Sequence, residues 1–360
     1  MITSLFKKKT VLITGHTGFK GSWLAAWLTK NGAKVIGVSS GLVSQPNNFE
    51  TLGLKTKIID YRFNILNSKK LTEVFQKHKP DFVFHLAAQS LVNKSLIDPM
   101  TTWKTNIMGT ATILECLSGL SKTCNAVIIT SDKCYENSEW CYGYRENDRL
   151  GGKDPYSASK AAAELVFHSY VNSFFKEKKN IRVASARAGN VIGGGDWAGD
   201  RLIPDCVRAW SKKEVVSIRN PKSTRPWQHV LEPLCGYLYL AKFLAEGNSS
   251  NGESYNFGPA PEQNFDVETV VTEMSKHWEN VNWTFTQKGE NSKLEAGLLK
   301  LCCDKAFNDL NWKPRLNFNQ TIELTIDWYK TYYENPKMAS VKTLEQINYF
   351  ENLLSGSDIG

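Results

Sequence analysis

From Thr14 to Gly21 the chain reads Thr-Gly-His-Thr-Gly-Phe-Lys-Gly, and what flanks this loop leaves few folds open. Ahead of it, Thr10-Val11-Leu12-Ile13-Thr14 is a short apolar, β-branched run. Behind it, Trp23, Leu24, Trp27 and Leu28 recur at a helical period, and Asn31-Gly32 supplies a stop. Strand, glycine turn and helix in that order open a βαβ unit. In the spacing Gly-x-x-Gly-x-x-Gly the first glycine permits a tight turn. The second lets backbone amides approach a diphosphate, and the third lets the helix pack closely on the strand. The helix start then offers unpaired N–H groups and the positive end of its dipole. No Gly-Lys-Ser/Thr follows, so this is not the loop of P-loop nucleotidases. Gly15, His16, Thr17, Gly18, Phe19 and Gly21 are candidate contacts of a dinucleotide cofactor.

The alternation continues. Lys34 to Val38 reads as a second strand, Lys57-Ile58-Ile59 as a third, Lys69 to His78 as an amphipathic helix and Phe82 to Leu86 as a buried strand. A helix over 106–118 leads to the strand Ala126–Thr130. Uniformly apolar strands separated by helices imply a parallel sheet covered on both faces. Beyond Asn190 the elements are shorter, with Gly193-Gly194-Gly195-Asp196-Trp197 a loop, a helix from Leu231 to Glu246 and a strand from Glu253 to Phe257. The expected fold is α/β: a doubly wound parallel sheet of Rossmann type with a smaller mixed α/β C-terminal substrate domain. Residues 1–190 and 230–257 would form the cofactor domain, and residues 191–229 and 258–355 the substrate domain.

Composition narrows the function classes. With 41% hydrophobic and 22% charged residues the chain has an ordinary globular balance, which excludes disorder. The net charge of +8 comes from scattered basic residues, with Lys7-Lys8-Lys9 as the only dense run, so no nucleic-acid arm is expected. No stretch nears eighteen consecutive apolar residues and no signal-peptide core precedes Thr10, so neither a membrane partner nor export is expected. The eight cysteines form no Cys-x-x-Cys pair and lack metal-ligand spacing. Buried free thiols in a cytoplasmic protein, and no metal, are the expectation.

At the end of the second strand stands Val38-Ser39-Ser40-Gly41, where a carboxylate would accept the adenosine ribose hydroxyl. No arginine replaces it, so this position selects neither NAD nor NADP. Asn64-Ile65 either frames the adenine edge or is a turn. Tyr156-Ser157-Ala158-Ser159-Lys160 follows Asp154-Pro155, an N-cap with proline at the first helical position. Its spacing puts Tyr156 and Lys160 on one helix face, where an ammonium would favour the phenolate and suit the phenol to act as a base. The strand Ala126–Thr130 delivers Ser131, Asp132 and Lys133 to the carboxyl edge of the sheet, where ligands bind in open α/β folds.

Together with His85-Leu86-Ala87-Ala88-Gln89, these motifs resemble the extended short-chain dehydrogenase/reductases that act on nucleotide sugars. Ser131-Asp132-Lys133 resembles the acid-bearing triplet of their 4,6-dehydratases. The blocks Arg187–Trp197, Asp200–Asp205 and Arg225–Leu234 extend the likeness over residues 8 to 335. The resemblance implies NAD as cofactor and a nucleotide sugar, CDP-glucose, as substrate. It implies Tyr156 as the base at the C4 hydroxyl, Ser131 as a partner of the resulting carbonyl, and Lys160 on the nicotinamide ribose. Asp132 would be the acid that expels the C6 hydroxyl as water. Related dTDP-sugar enzymes carry Glu where this chain has Lys133, which leaves the C5 base open. By position, Leu86, Ala87, Ala88 and Thr105 would line the cofactor, with Gln89 and Asn190 facing the sugar. Arg201, Arg219 and Arg225 are candidate diphosphate ligands, because guanidinium suits phosphate oxygens. Trp197, Trp227, His85 and His229 are expected as packing residues. The family implies a homo-oligomer, dimer or tetramer, built on helices near 106–118 and 156–175. Competing expectations are a nucleotide-sugar 4-epimerase, a 4,6-dehydratase for another nucleotide sugar, and a non-catalytic NAD-binding regulator.

Overall fold

A computed structural model describes residues 2–247, 251–279, 281–285 and 297–356. The remainder of the 258–355 segment, residues 280 and 286–296, lies outside the described residues. Seven strands form one parallel sheet: β1 (Thr10–Thr14), β2 (Lys34–Ser39), β3 (Ile59–Arg62), β4 (Phe82–His85), β5 (Cys124–Ile129), β6 (Ile181–Arg187) and β7 (Ser254–Asn256). Their order is β7-β6-β5-β4-β1-β2-β3, with every neighbouring pair parallel. The order reverses at β1, so the β1 and β4 ends flank a crevice.

Strand pleating explains the continuous apolar runs. Val11 and Ile13 of β1, Phe82 and Phe84 of β4, and Val127 and Ile129 of β5 join one core cluster, while Leu12, Val83 and Ile128 join another on the opposite face. The first face is covered by α1 (Phe19–Lys30), by α5 (Leu231–Ala245) and by the C-terminal α7 (Ala339–Ser355). The second is covered by α2 (Ser68–His78), α3 (Gly109–Ser118) and α4 (Pro155–Tyr170). Trp23 and Trp27 of α1 are fully buried, and Trp27 Nε1 donates to Glu351 Oε1 of α7 at 2.8 Å, closing that layer.

Two elements differ from the expected ones. The third strand runs Ile59–Arg62, because Leu54–Thr56 is a 3-10 turn and Lys57 N still bonds back to Leu54 O. The helix expected over 106–118 starts at Gly109, after a π turn over Lys104–Met108.

From residue 191 the strands are short. Val191–Ile192 pairs with Gln228–His229, Val216–Ile218 with Trp283–Phe285, and Thr224–Arg225 with Phe265–Asp266. Trp197 packs on Tyr329, Tyr332 and Tyr333 of α6 (Phe318–Glu334), and the core cluster holding Trp23 also holds Trp210, Trp312 and Trp328. Among the described residues no helix is long and apolar enough to cross a membrane.

Candidate active site

β5 ends at Ile129 and passes, through Thr130 and Ser131, into one 3-10 turn, Asp132–Cys134. Ser131 Oγ accepts from Lys133 N at 3.3 Å and donates to Asp132 Oδ1 at 2.9 Å. Opposite stands the start of α4, where Asp154 caps by accepting from Ser157 N at 3.0 Å and Pro155 takes the first position. Tyr156, Lys160 and Glu164 follow at four-residue intervals and share one buried face. The Tyr156 phenol lies beside the Ser131 hydroxyl, which favours its charged form, and Lys160 Nζ donates to Ile129 O at 3.5 Å. Ser131, Asp132, Tyr156 and Lys160 are thus gathered at the end of β5, all buried, and Lys133 is half-buried beside them.

The electrostatics correct one expectation. Burial pushes the Tyr156 phenol up to about 12, against the lowering effect of the Ser131 hydroxyl beside it. Burial also lowers the Lys160 amine to about 8. An ammonium beside a phenol favours the phenolate in water, but a dry site penalises both charged forms.

Below this pair lies a network that the sequence did not announce. Burial would raise the Glu164 carboxyl, but the Arg187 guanidinium and the hydroxyls of Thr130 and Ser185 outweigh it and hold it at about 2. Arg187 Nη2 meets Glu164 Oε2 at 2.8 Å, and its Nη1 donates to Tyr135 Oη at 2.7 Å and Glu146 O at 2.8 Å. The available signal was Glu164 itself, a carboxylate one turn beyond Lys160 on the same face of a helix that buries that face. His85 and His229 are packing residues as expected: burial lowers each to about 3, and His85 sits between Thr14 and Thr110 hydroxyls at 2.7 and 3.2 Å.

At the other end of the crevice, Gly15 has φ +74°, and a Cβ there would stand 2.7 Å from Ala87 N. The loop can therefore lie against the β4 end only as glycine. Gly18 is the N-cap of α1 and makes no side-chain capping bond, so it takes up none of the helix's first N–H groups. This cradle, with half-buried Leu86, Ala87, Ala88 and Thr105 beside it, fits the diphosphate and nicotinamide halves of a dinucleotide. Gly21 packs the helix onto the loop, as its spacing required: a Cβ would meet Gly15 O at 2.2 Å.

His16 is turned away from that cradle. Its ring is fully buried, and Nε2 lies 2.8 Å from Asp60 Oδ1 on β3. Thr17 Oγ1 bonds Ser39 Oγ at 2.7 Å and donates to Gly41 O at 2.6 Å, so hydroxyls occupy the place of the missing acid. The acid sits one strand over as Asp60, engaged by His16 and by Arg62. Asn64 is an exposed turn residue whose Oδ1 accepts from Leu66 N at 2.9 Å, whereas Ile65 is buried against Gly109.

The expected substrate residues divide. Gln89 is not free for a sugar, because its amide donates to Thr102 Oγ1 at 2.9 Å and Leu91 O at 3.0 Å and accepts from Leu91 N at 2.7 Å. It ties down the segment after β4. Asn190 adopts left-handed backbone, φ 48°, beside the β6 end. Arg201 pairs with Asp196 at 2.5 Å and stands near enough to Tyr156 to act on its titration. Arg219 is exposed, 3.8 Å from Asp200, and Arg225 donates to Thr224 O at 2.8 Å. Lys20, left out of the cradle set, is half-buried with Nζ 3.3 Å from Tyr237 Oη. Burial, Lys160 and Arg201 lower it to about 8.

A glycine cradle at a sheet crevice, joined to a buried Ser–Asp and Tyr–Lys set, defines a dinucleotide-dependent α/β enzyme. Residues 12–325 match the family model described as GDP-mannose 4,6 dehydratase, and the chain belongs to that family. It is 44% identical over 351 residues to the CDP-glucose 4,6-dehydratase of Salmonella typhimurium, covering 96% of this chain and 97% of the relative. A dTDP-glucose 4,6-dehydratase of the same organism is 26% identical, covering 94% and 98%. Among solved structures, the dTDP-glucose 4,6-dehydratase of Bacillus anthracis in complex with NAD superposes with TM-score 0.74 at 20% identity, covering 92% and 99%. A UDP-glucose-4-epimerase of Stenotrophomonas maltophila with bound NAD gives 0.79 at 19% identity, covering 91% and 99%. At such identities these two likenesses speak for the fold.

Proposed function

We propose that the chain is a lyase that converts CDP-D-glucose to CDP-4-keto-6-deoxy-D-glucose and water, with NAD as a catalytic cofactor. The observation that carries this is Asp132 hydrogen-bonded to Ser131, whose hydroxyl lies beside the Tyr156 phenol. One cluster then holds both a redox base and an elimination acid. The near-full-length identity to a CDP-glucose enzyme supports the nucleotide. When bound, NAD accepts hydride from C4 and returns it to C6.

The protein groups do the rest. Tyr156 takes the C4 hydroxyl proton as that carbon is oxidised, as the phenolate that Ser131, Arg201 and the cationic ring of bound NAD would favour against burial, and Ser131 and Tyr156 hold the new carbonyl oxygen. The ketone acidifies the C5 proton, which leaves to a base for which Lys133 is our assignment, and the same base gives a proton back to C5 when hydride reaches C6. As the C5–H electron pair moves to the C5–C6 bond, the C6–O bond breaks and Asp132 gives its proton to the departing hydroxyl, forming water. Lys160 and the Gly15–Gly21 cradle hold the cofactor, with Phe19, Leu86, Ala87, Ala88 and Thr105 along it. We assign Asn190, Arg201, Arg219 and Arg225 to the nucleotide sugar, in a substrate domain of residues 191–229 and 258–355. Residues 1–190 with 230–257 form the cofactor domain and contain the whole seven-stranded sheet.

We also assign a cytoplasmic, homo-oligomeric state. All eight cysteines are free thiols. Ile97, Met100, Met108, Leu165 and Phe174 are exposed on the segments 92–118 and 155–175, an apolar surface suited to helix pairing between copies. Incubation with CDP-, dTDP-, GDP- and UDP-glucose and added NAD, followed by mass analysis, tests the function. Loss of one water from CDP-glucose is expected. An isomeric product of unchanged mass would favour an epimerase, and no turnover of any of the four would leave the proposal without support.

A further inference from the structure

Gly189 sits between the end of β6 and left-handed Asn190, and its φ lies outside the left-handed region, so backbone conformation does not demand a glycine there. Space does. A Cβ at this position would stand 1.8 Å from Asp132 Oδ2 and 2.0 Å from Asp132 Cγ. Oδ2 is the carboxyl oxygen that Ser131 does not engage, and it is buried without a protein partner. The backbone of residue 189 is also held in place. Buried Gln228 donates from Nε2 to Gly189 O and Phe257 O, each at 3.0 Å, and its backbone N donates to Asn190 O at 3.3 Å. When a side chain enters, the carboxylate must yield rather than the chain.

We propose that Gly189 is a positioning residue whose bare Cα forms the niche for the Asp132 carboxyl, so that position 189 decides whether an oxidised sugar goes on to lose water. This rests on the assignment of Asp132 as the elimination acid. A methyl group at 189 swings the carboxyl off Ser131 and away from the C6 oxygen, while Tyr156 and Lys160 stay on α4, across the site. Oxidation and elimination then separate.

The test uses the full chain with CDP-glucose and added NAD, reading NADH absorbance beside rapid-quench mass analysis. Gly189→Ala is expected to form NADH at close to the wild-type rate and to lose water at least about 100-fold more slowly, the cost of a misplaced general acid. Asp132→Gly/Gly189→Ala should match Asp132→Gly alone, since the niche matters only when a carboxyl fills it. Should Gly189→Ala fail to fold, the double variant, in which the clash is absent, should recover the melting temperature of Asp132→Gly. Water loss at the wild-type rate in Gly189→Ala overturns the proposal. So does a parallel fall in NADH formation, or a double variant worse than Asp132→Gly in rate or melting. The acid assignment fails separately, if Asp132→Asn dehydrates normally whatever position 189 does.

Discussion

The two ends of the sheet crevice spend their charged residues differently. At the β5 end, Glu164 and Arg187 are buried as a pair, and Glu164 accepts from Thr130, Ser185 and Ser254 as well. The Glu164 carboxylate beneath Ser131 and Tyr156 is thereby held on both oxygens by protein donors. At the β2–β3 end, Asp60 is partly exposed and serves a buried histidine and a surface arginine, and the ribose position has only Thr17 and Ser39 hydroxyls. Chemistry needs groups fixed to fractions of an ångström, whereas affinity can be assembled from many weaker contacts. The reaction end is built for the first demand and the adenosine end for the second.

The largest effect that sharpens this contrast should come from the reacting groups themselves. Tyr156→Phe should suppress NADH formation and water loss alike, by about 10²–10⁴-fold. Asp132→Asn should suppress water loss by a similar factor while NADH still accumulates. Stopped-flow absorbance with mass analysis in heavy water separates the two. If Asp132→Asn forms no NADH, oxidation and elimination are not divided between these residues. Lys133→Met should spare C4 oxidation and block exchange of the C5 proton, and wild-type exchange would remove Lys133 as the base.

Next in size is the pair below them. Glu164→Gln leaves Arg187 buried without a counter-charge, and such losses cost about 3–5 kcal/mol in stability. The Glu164 carboxyl is held below its ordinary value, so its stabilisation is present above about pH 4.5 and fades as pH falls toward 2. The deficit of Glu164→Gln should therefore be full at pH 7 and shrink on acidification. Urea unfolding at pH 7 and pH 4 reads it. A deficit under about 1 kcal/mol at pH 7 would mean that the reaction end is not braced by this pair.

The same contrast governs what the sequence made legible. Periodicity exposed the sheet, because β1, β4 and β5 are apolar on both faces and α1 repeats at 3.6 residues. The Ser131-Asp132 and Tyr156/Lys160 sets were legible because each rides on one short local element. Glu164 with Arg187, and His16 with Asp60, were not legible, since each pair joins residues 23 or more positions apart that only the strand order brings together. Gln89 misled for a related reason: a short motif fixes where a residue sits, but its amide is satisfied by Leu91 and Thr102 in the following segment. Gly189 was read as part of a motif block, and its contact with Asp132 is visible only in three dimensions.

Cofactor affinity should respond to a change made only at the adenosine end. With hydroxyls where a carboxylate would accept the ribose, purified protein is expected to lose NAD on dialysis and recover activity when it is added. Ser39→Asp would place an acid at the end of β2. A charge-assisted hydrogen bond is worth about 1.5–3 kcal/mol, so NAD should bind about 10- to 100-fold more tightly, less what the Thr17 bond contributed. Calorimetric titration measures this without turnover. NAD that stays bound in stoichiometric amount through dialysis of the wild type would show that other contacts already supply that affinity.

The smallest expected effect is at Asp60, and it completes the comparison because the same kind of change is made at both ends. Burial lowers the His16 pKa, and the hydrogen bond and charge of Asp60 oppose that lowering without cancelling it. His16 is therefore neutral at pH 7, and Asp60→Asn removes a hydrogen bond to it and a partly exposed pairing with Arg62 rather than a buried ion pair. The cost should be about 1 kcal/mol, several-fold below that of Glu164→Gln. The pH dependence carries the sign. Because the folded protein resists protonating His16, stability from this group is complete above about pH 6.5 and declines as pH falls below it. Without Asp60 the folded state resists protonation more strongly, so the decline between pH 6.5 and 5 should be steeper in Asp60→Asn than in wild type. Urea unfolding across that window decides it. Equal slopes would mean that Asp60 does not set the titration of His16, and a cost matching Glu164→Gln would erase the difference between the two ends.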